Sequence, residues 1–173
     1  ISGAGVAKDP GVAAVWFEKA ANSGNVQAQR RLADLYTEGG VFPRDLDRAA
    51  TLYRAAAEQG DAESQLAYAE FLSSRSGNSK EALQWYQRAA ERGNAWAQLK
   101  LGDAYLKGLG VSADADKAIR LYLSSAKSGN LHAMTALGDM YAAGVGVPQD
   151  LAEAAKWYSR AAKAGNQNAE NSQ

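Results

Sequence analysis

Few residues in this chain are of a type that could do chemistry, and their spacing argues against it. His132 is the one histidine, and there is no cysteine. A zinc site needs three or four nitrogen, sulfur or carboxylate ligands converging on one point. A nucleophile needs an adjacent base and a group to orient it. The sequence supplies His132 with neither set. Carboxylates do recur at helical spacing, Asp34 with Glu38 for example. Such pairs are ordinary on a solvated helix face and give no case for general acid–base catalysis. The loops Gly108-Leu109-Gly110 and Gly144-Val145-Gly146 resemble phosphate cradles. Each follows helical sequence rather than a strand, however, and no Gly-Lys-Ser/Thr comes after it. They read as turn glycines. The expectation is no catalytic residue, no metal and no cofactor, hence no enzyme.

What recurs in register is a carboxylate: Asp34, Glu70, Asp103 and Asp139, spaced by 36, 33 and 36 residues. The glycine that follows each Ala-Ala-x2 step keeps the same beat, at Gly24, Gly60, Gly93, Gly129 and Gly165. So do the pairs Trp16-Phe17, Leu52-Tyr53, Trp85-Tyr86, Leu121-Tyr122 and Trp157-Tyr158. A repeat of about 34–36 residues is the mark of a helical solenoid whose unit is a helix pair. The predicted fold class is therefore all-α, a solenoid of antiparallel helix pairs.

Within each unit the pattern places a first helix near 26–38, 62–73, 95–107 and 131–142. A second helix falls near 10–23, 46–59, 79–92, 115–128 and 151–164. Asp9, Asp45, Asp114 and Asp150, with Asn78 in the third copy, stand where a side-chain oxygen can accept from free backbone N–H groups at a helix start. Pro10 suits the first helical position. The Gly-Asn and Gly-Asp pairs suit left-handed helix ends. Small residues (Ala28, Ser64, Ala97, Ala133 and Ala33, Ala69, Gly102, Gly138) allow close helix approach. Leu32, Tyr68, Leu101 and Leu137 fill the interface, with Tyr36, Leu72, Tyr105 and Tyr141 one turn on. One pair cannot bury that face alone, so units must stack.

The repeats divide the 173 residues into a half unit (1–24), four full units (25–60, 61–93, 94–129 and 130–165) and the start of another (166–173). Both termini cut through a unit, which reads as a piece of a longer array. Lysine plus arginine and aspartate plus glutamate both number 19. Zero net charge gives no electrostatic case for nucleic acid or an anionic membrane. No apolar run approaches the roughly 20 residues needed to span a bilayer.

The stretch Leu137-Gly138-x2-Tyr141-x2-Gly144-x-Gly146-Val147-x2-Asp150-x3-Ala154-x2-Trp157-Tyr158-x2-Ala161-Ala162-x2-Gly165 resembles the Sel-1-like repeat, a relative of the tetratricopeptide repeat. The resemblance implies a right-handed α-superhelix acting as an adaptor in protein complexes, often in bacterial envelope, signalling or exopolysaccharide systems. It slightly favours the periplasm or cell envelope. Some relatives brace their helix pairs with disulfides, which a chain without cysteine cannot form. The third unit departs from the pattern, having Ser73-Ser74-Arg75-Ser76-Gly77 in place of the Gly-x-Gly-Val loop, and Gly39-Gly40-Val41-Phe42 shifts one glycine.

Aligned on the tetratricopeptide-like pattern, the first helices leave certain positions off the packing face, where they would line a concave groove. The expected groove residues are Asp34, Glu63, Leu66, Glu70, Trp96, Leu99, Asp103, Leu106, His132 and Asp139. They combine a carboxylate ladder with an apolar cluster of Leu66, Trp96, Leu99 and Leu106. Exposed apolar surface centred on tryptophan usually marks a partner site. The expected partner is a protein or peptide with an apolar anchor and basic flanks. Two plainer readings stay open: the carboxylates pair with a basic residue of the next unit or cap solvent, and Trp96 is core. A glycan-binding surface and self-association through the open repeat ends are the alternative functions.

Overall fold

A computed structural model of the chain describes residues 10–75 and 79–170. Nine α-helices lie among them: α1 (Pro10–Asn22), α2 (Val26–Glu38), α3 (Leu46–Glu58), α4 (Ala62–Ser73), α5 (Ser79–Glu91), α6 (Ala95–Lys107), α7 (Ala115–Lys127), α8 (Leu131–Ala143) and α9 (Leu151–Glu170). The even-numbered helices open their units and the odd-numbered ones close them. Contact is densest within the pairs α2–α3, α4–α5, α6–α7 and α8–α9. Each pair then meets the helix before it, and α2 also touches α4 directly. This is a stack of antiparallel helix pairs, the all-α solenoid expected from the repeat.

The helix boundaries follow from end chemistry. Each even helix begins at an amide or carboxylate cap: Asn25 Oδ1 accepts from Ala28 N, Asp61 from Ser64 N, Asn94 from Ala97 N and Asn130 from His132 N and Ala133 N. Asp45, Asp114 and Asp150 do the same for α3, α7 and α9. The expected caps at Asp9 and Asn78, and the opening loop before Pro10, lie outside the described residues. Between an odd helix and the next even one the chain reverses at a glycine with φ near +84 to +88, as at Gly60 and Gly93. That left-handed conformation is one that side chains with a Cβ resist.

One boundary differs from expectation. Gly165 occupies the same place in its unit, yet it is helical and α9 runs on to Glu170. The other reversals are each followed by a full helix that packs back. Within α9 each residue added gains a hydrogen bond at no further nucleation cost.

The core is continuous along the stack but falls into two clusters. One runs from Ala21 to Leu101 and is rich in Leu32, Tyr36, Tyr53, Tyr68, Phe71 and Trp85. The other gathers Leu99, Tyr122, Met134, Leu137 and Met140. Buried glutamines bind successive units together. Gln29, Gln65 and Gln98 donate through Nε2 to the carbonyls of Ala21, Ala57 and Ala90, at 3.2, 3.4 and 3.2 Å. These carbonyls, in the last turns of α1, α3 and α5, also accept from the backbone N–H of the reversal glycines Gly24, Gly60 and Gly93, so each glutamine adds a second donor from the next unit.

Candidate interaction surface

The recurring carboxylates have a structural task. Asp34 accepts from Tyr53 Oη at 2.6 Å, Asp103 from Tyr122 Oη at 2.7 Å and Asp139 from Tyr158 Oη at 2.7 Å, each across 19 residues. Every such bond ties an even helix to the odd helix that follows it. Hydrogen bonds to a charged acceptor are stronger than neutral ones. Burial, together with donation to Asp34 and Asp103, holds the Tyr53 and Tyr122 phenols well above their ordinary value. The residue before the carboxylate completes the device. A Cβ on Gly102 would lie 2.6 Å from the Tyr122 ring, and one on Gly138 would lie 2.5 Å from the Tyr158 ring. In Leu-Gly-Asp the glycine therefore admits the tyrosine ring and the aspartate receives its hydroxyl.

The third unit is three residues shorter, and there the pairing changes. Tyr86 Oη meets Ser73 Oγ at 3.1 Å, which leaves Glu70 without a tyrosine donor. Desolvation raises the Glu70 carboxyl above its ordinary value and Glu63 adds repulsion, while Lys100 pulls the other way. Lys100 belongs to the next unit, and its effect on Glu70 is a through-space charge influence rather than an ion pair.

Two of the expected groove residues are not at the surface. Leu66 and Leu99 are 7% and 6% exposed and belong to the core. Leu106 is half-buried against the second cluster. The reason is rotational: each leucine lies within a turn of core residues (Gln65 and Tyr68, Gln98 and Leu101), and successive units close over it. The expected apolar cluster is thus reduced to Trp96, and the carboxylate ladder to partly engaged groups. Asp34 and Asp103 are half-buried, while Glu63, Glu70, His132 and Asp139 are exposed.

Trp96 is 46% exposed. It sits in the first turn of α6, and its ring lies 5.1 Å from that of His132 in the first turn of α8, tilted by 46°. The two rings bridge consecutive units. They line a shallow depression of about 440 Å³ that also includes Glu63, Asn94, Asn130 and Leu131. Glu63 Oε1 accepts from Asn94 Nδ2 at 2.8 Å, and its Oε2 lies 3.7 Å from Arg30 Nη1. Asn94 thereby caps α6 and fixes Glu63 beside the rings. The arrangement has a flat aromatic surface and one exposed carboxylate. It has neither a nucleophile paired with a base nor a metal-ligand set, and among the described residues no cluster of three or more His, Cys, Asp or Glu could hold a metal.

Five consecutive segments, residues 2–25, 26–61, 62–94, 97–130 and 131–166, match the model of the Sel1 repeat. The chain belongs to the Sel1 repeat family. A Sel1 repeat protein from Oxalobacter formigenes of known structure is 36% identical, with a TM-score of 0.86 over 92% of this chain and 67% of that one. Human protein sel-1 homolog 2 is 33% identical over 99 residues, which are 55% of this chain and 14% of that protein. The chain thus spans a small part of the curated relatives it matches. The immunity protein Pa5087 from Pseudomonas aeruginosa shares the fold, at 22% identity and a TM-score of 0.62 over 95% of this chain and 62% of that one. The fold is the right-handed superhelical solenoid of the Sel1 family. Sel1 repeats are generally protein–protein interaction modules and typically non-catalytic scaffolds.

The sequence pattern did not disclose the Asp–Tyr bonds or the glutamine row. The signal was there: an aspartate and a tyrosine 19 residues apart in three units, and an Ala-Gln or Ser-Gln pair early in three first helices.

Proposed function

We propose that this chain is a non-enzymatic adaptor module within a larger bacterial signalling or cell-envelope protein. It holds a segment of a partner protein along its even-numbered helices, with Trp96 and His132 as the anchor. The observation that carries this reading is the exposed Trp96–His132 pair, which bridges two units. Tryptophan is enriched at binding hot spots. The likeness to the Oxalobacter formigenes protein supports a bacterial setting. A pre-formed helical stack binds with little reorganisation, which favours affinity per unit of contact.

The test is capture from host lysate by immobilised wild type, Trp96→Ala and Glu63→Lys proteins, with helicity checked by circular dichroism. Asp103 is left unchanged in these variants, because it accepts the bond from Tyr122. A protein held by wild type and released by both variants supports the reading. Equal capture by all three overturns it. If a soluble oligosaccharide, rather than a protein, perturbs the Trp96 indole resonance, the surface binds glycan.

A further inference from the structure

The four tryptophans are not equivalent. Three carry a cation from their own helix three residues on: Lys19 Nζ lies 4.9 Å from the Trp16 ring, Arg88 Cζ lies 4.4 Å from Trp85, and Arg160 Cζ lies 4.6 Å from Trp157. Trp96 has Leu99 at that position, and Leu99 is buried. Among the described residues no cation lies over the Trp96 ring. The Glu63 carboxylate shares its depression, with its side chain 59% exposed. The intramolecular cation nearest Glu63 is Arg30, at 3.7 Å and already donating to Gln27 Oε1 at 2.8 Å. The contact is long for a hydrogen bond, and although Arg30 is largely buried, Glu63 keeps an exposed face toward solvent. The exposed groups further along the even helices include Glu70 and Asp139. The buried positions of Leu66 and Leu99 remove the apolar surroundings that an aliphatic anchor would need.

We propose that the partner's anchor is cationic: an arginine or lysine side chain laid on the open face of Trp96, with its charge met by Glu63. The cation completes at Trp96 the pairing that the other three tryptophans make within the chain. It draws on the attraction of a cation to an indole face, strongest for tryptophan, and on a carboxylate that the Asn94 amide already orients. Arginine suits the site better than lysine because its planar guanidinium can stack on the ring and present N–H groups to a carboxylate together. This inference rests on the reading that the Trp96 face binds a protein segment, and it specifies that segment's chemistry.

The experiment uses three acetylated and amidated Gly/Ser peptides that differ only at the central residue: arginine, its neutral isostere citrulline, or leucine. Each is titrated into ¹⁵N-labelled protein while the indole N–H resonances are followed, Trp96 being assigned with Trp96→Phe. The arginine peptide is expected to move the Trp96 resonance with an affinity roughly three- to fivefold above that of citrulline. Glu63→Gln should remove most of that advantage. Raising salt from about 50 to about 300 mM should weaken the arginine peptide and leave the leucine peptide unchanged. A leucine peptide that shifts Trp96 as strongly as arginine overturns the cationic anchor while leaving the binding face intact. If no peptide moves Trp96, the anchor is likewise overturned, and the lysate capture separately decides whether the face binds protein at all.

Discussion

At the scale of single residues, the Leu-Gly-Asp sequence is a packing device. Gly102 and Gly138 face tyrosine rings at distances no Cβ tolerates, but the rings differ: Tyr122 is fully buried, whereas Tyr158 is 40% exposed. A buried ring cannot move aside without displacing its neighbours, so overpacking there costs about 1–3 kcal/mol. Gly102→Ala should therefore destabilise the protein clearly more than Gly138→Ala, as read from urea midpoints at constant slope. The Asp103–Tyr122 bond predicts a coupling of about 1–2 kcal/mol in a double-mutant cycle of Asp103→Ala with Tyr122→Phe. It also predicts a pH effect. Burial first, and then donation to aspartate, holds the Tyr53 and Tyr122 phenols above 10.0 in the folded chain. Above about pH 10 the unfolded chain loses these protons while the folded chain keeps them. Stability is then complete below pH 10 and falls above it, by up to about 1.4 kcal/mol per pH unit for each tyrosine. Thermal midpoints measured between about pH 9 and 11.5 should show this fall, and Tyr122→Phe should lessen it.

At the scale of elements, the caps decide where helices start, and one of them serves the candidate site as well. Asn94 Oδ1 accepts from Ala97 N at 2.9 Å, while its Nδ2 holds Glu63. Asn94→Ala should cost about 1 kcal/mol for the lost cap. Asn94→Asp, which keeps the acceptor but sets two carboxylates together, should retain most of the stability while disturbing Glu63. Chemical denaturation measures the first effect, and the Glu63 side-chain resonances report the second. The helices were legible in the sequence because five copies fix one another's boundaries: the expected spans 26–38, 62–73 and 95–107 coincide with α2, α4 and α6. The candidate site was only partly legible. Helical periodicity places a residue on a face, but the closure of that face depends on the neighbouring unit. Leu66 and Leu99 consequently fell inside, while Trp96, for which a core position was equally open, stands at the surface. The Asp–Tyr bonds needed the register between two helices, which no single-helix pattern contains.

At the scale of the whole molecule, the two core clusters meet in α6. Leu101 belongs to the cluster that extends back to Ala21, Leu99 to the one that extends on to Met140, and Tyr105 packs against both. Solenoid stability is approximately a sum of unit terms and nearest-neighbour interface terms, so a cavity should be felt mainly on its own side of such a boundary. Truncating a buried leucine costs about 2–5 kcal/mol. Leu99→Ala should lower amide exchange protection in α7 and α8 more than in α3 and α4, and Leu101→Ala should reverse that order. Native-state hydrogen exchange, resolved by helix, distinguishes this from a single cooperative unit, in which both variants would lower protection everywhere alike. The site gives the outcome a consequence. Trp96 is in α6 and His132 in α8, so their ring pair lies across the interface that Leu99 supports. A partner gripping both rings would couple the units on either side. Its binding should therefore restore protection to α7 and α8 in Leu99→Ala to a greater extent than it adds protection to the same helices in wild type.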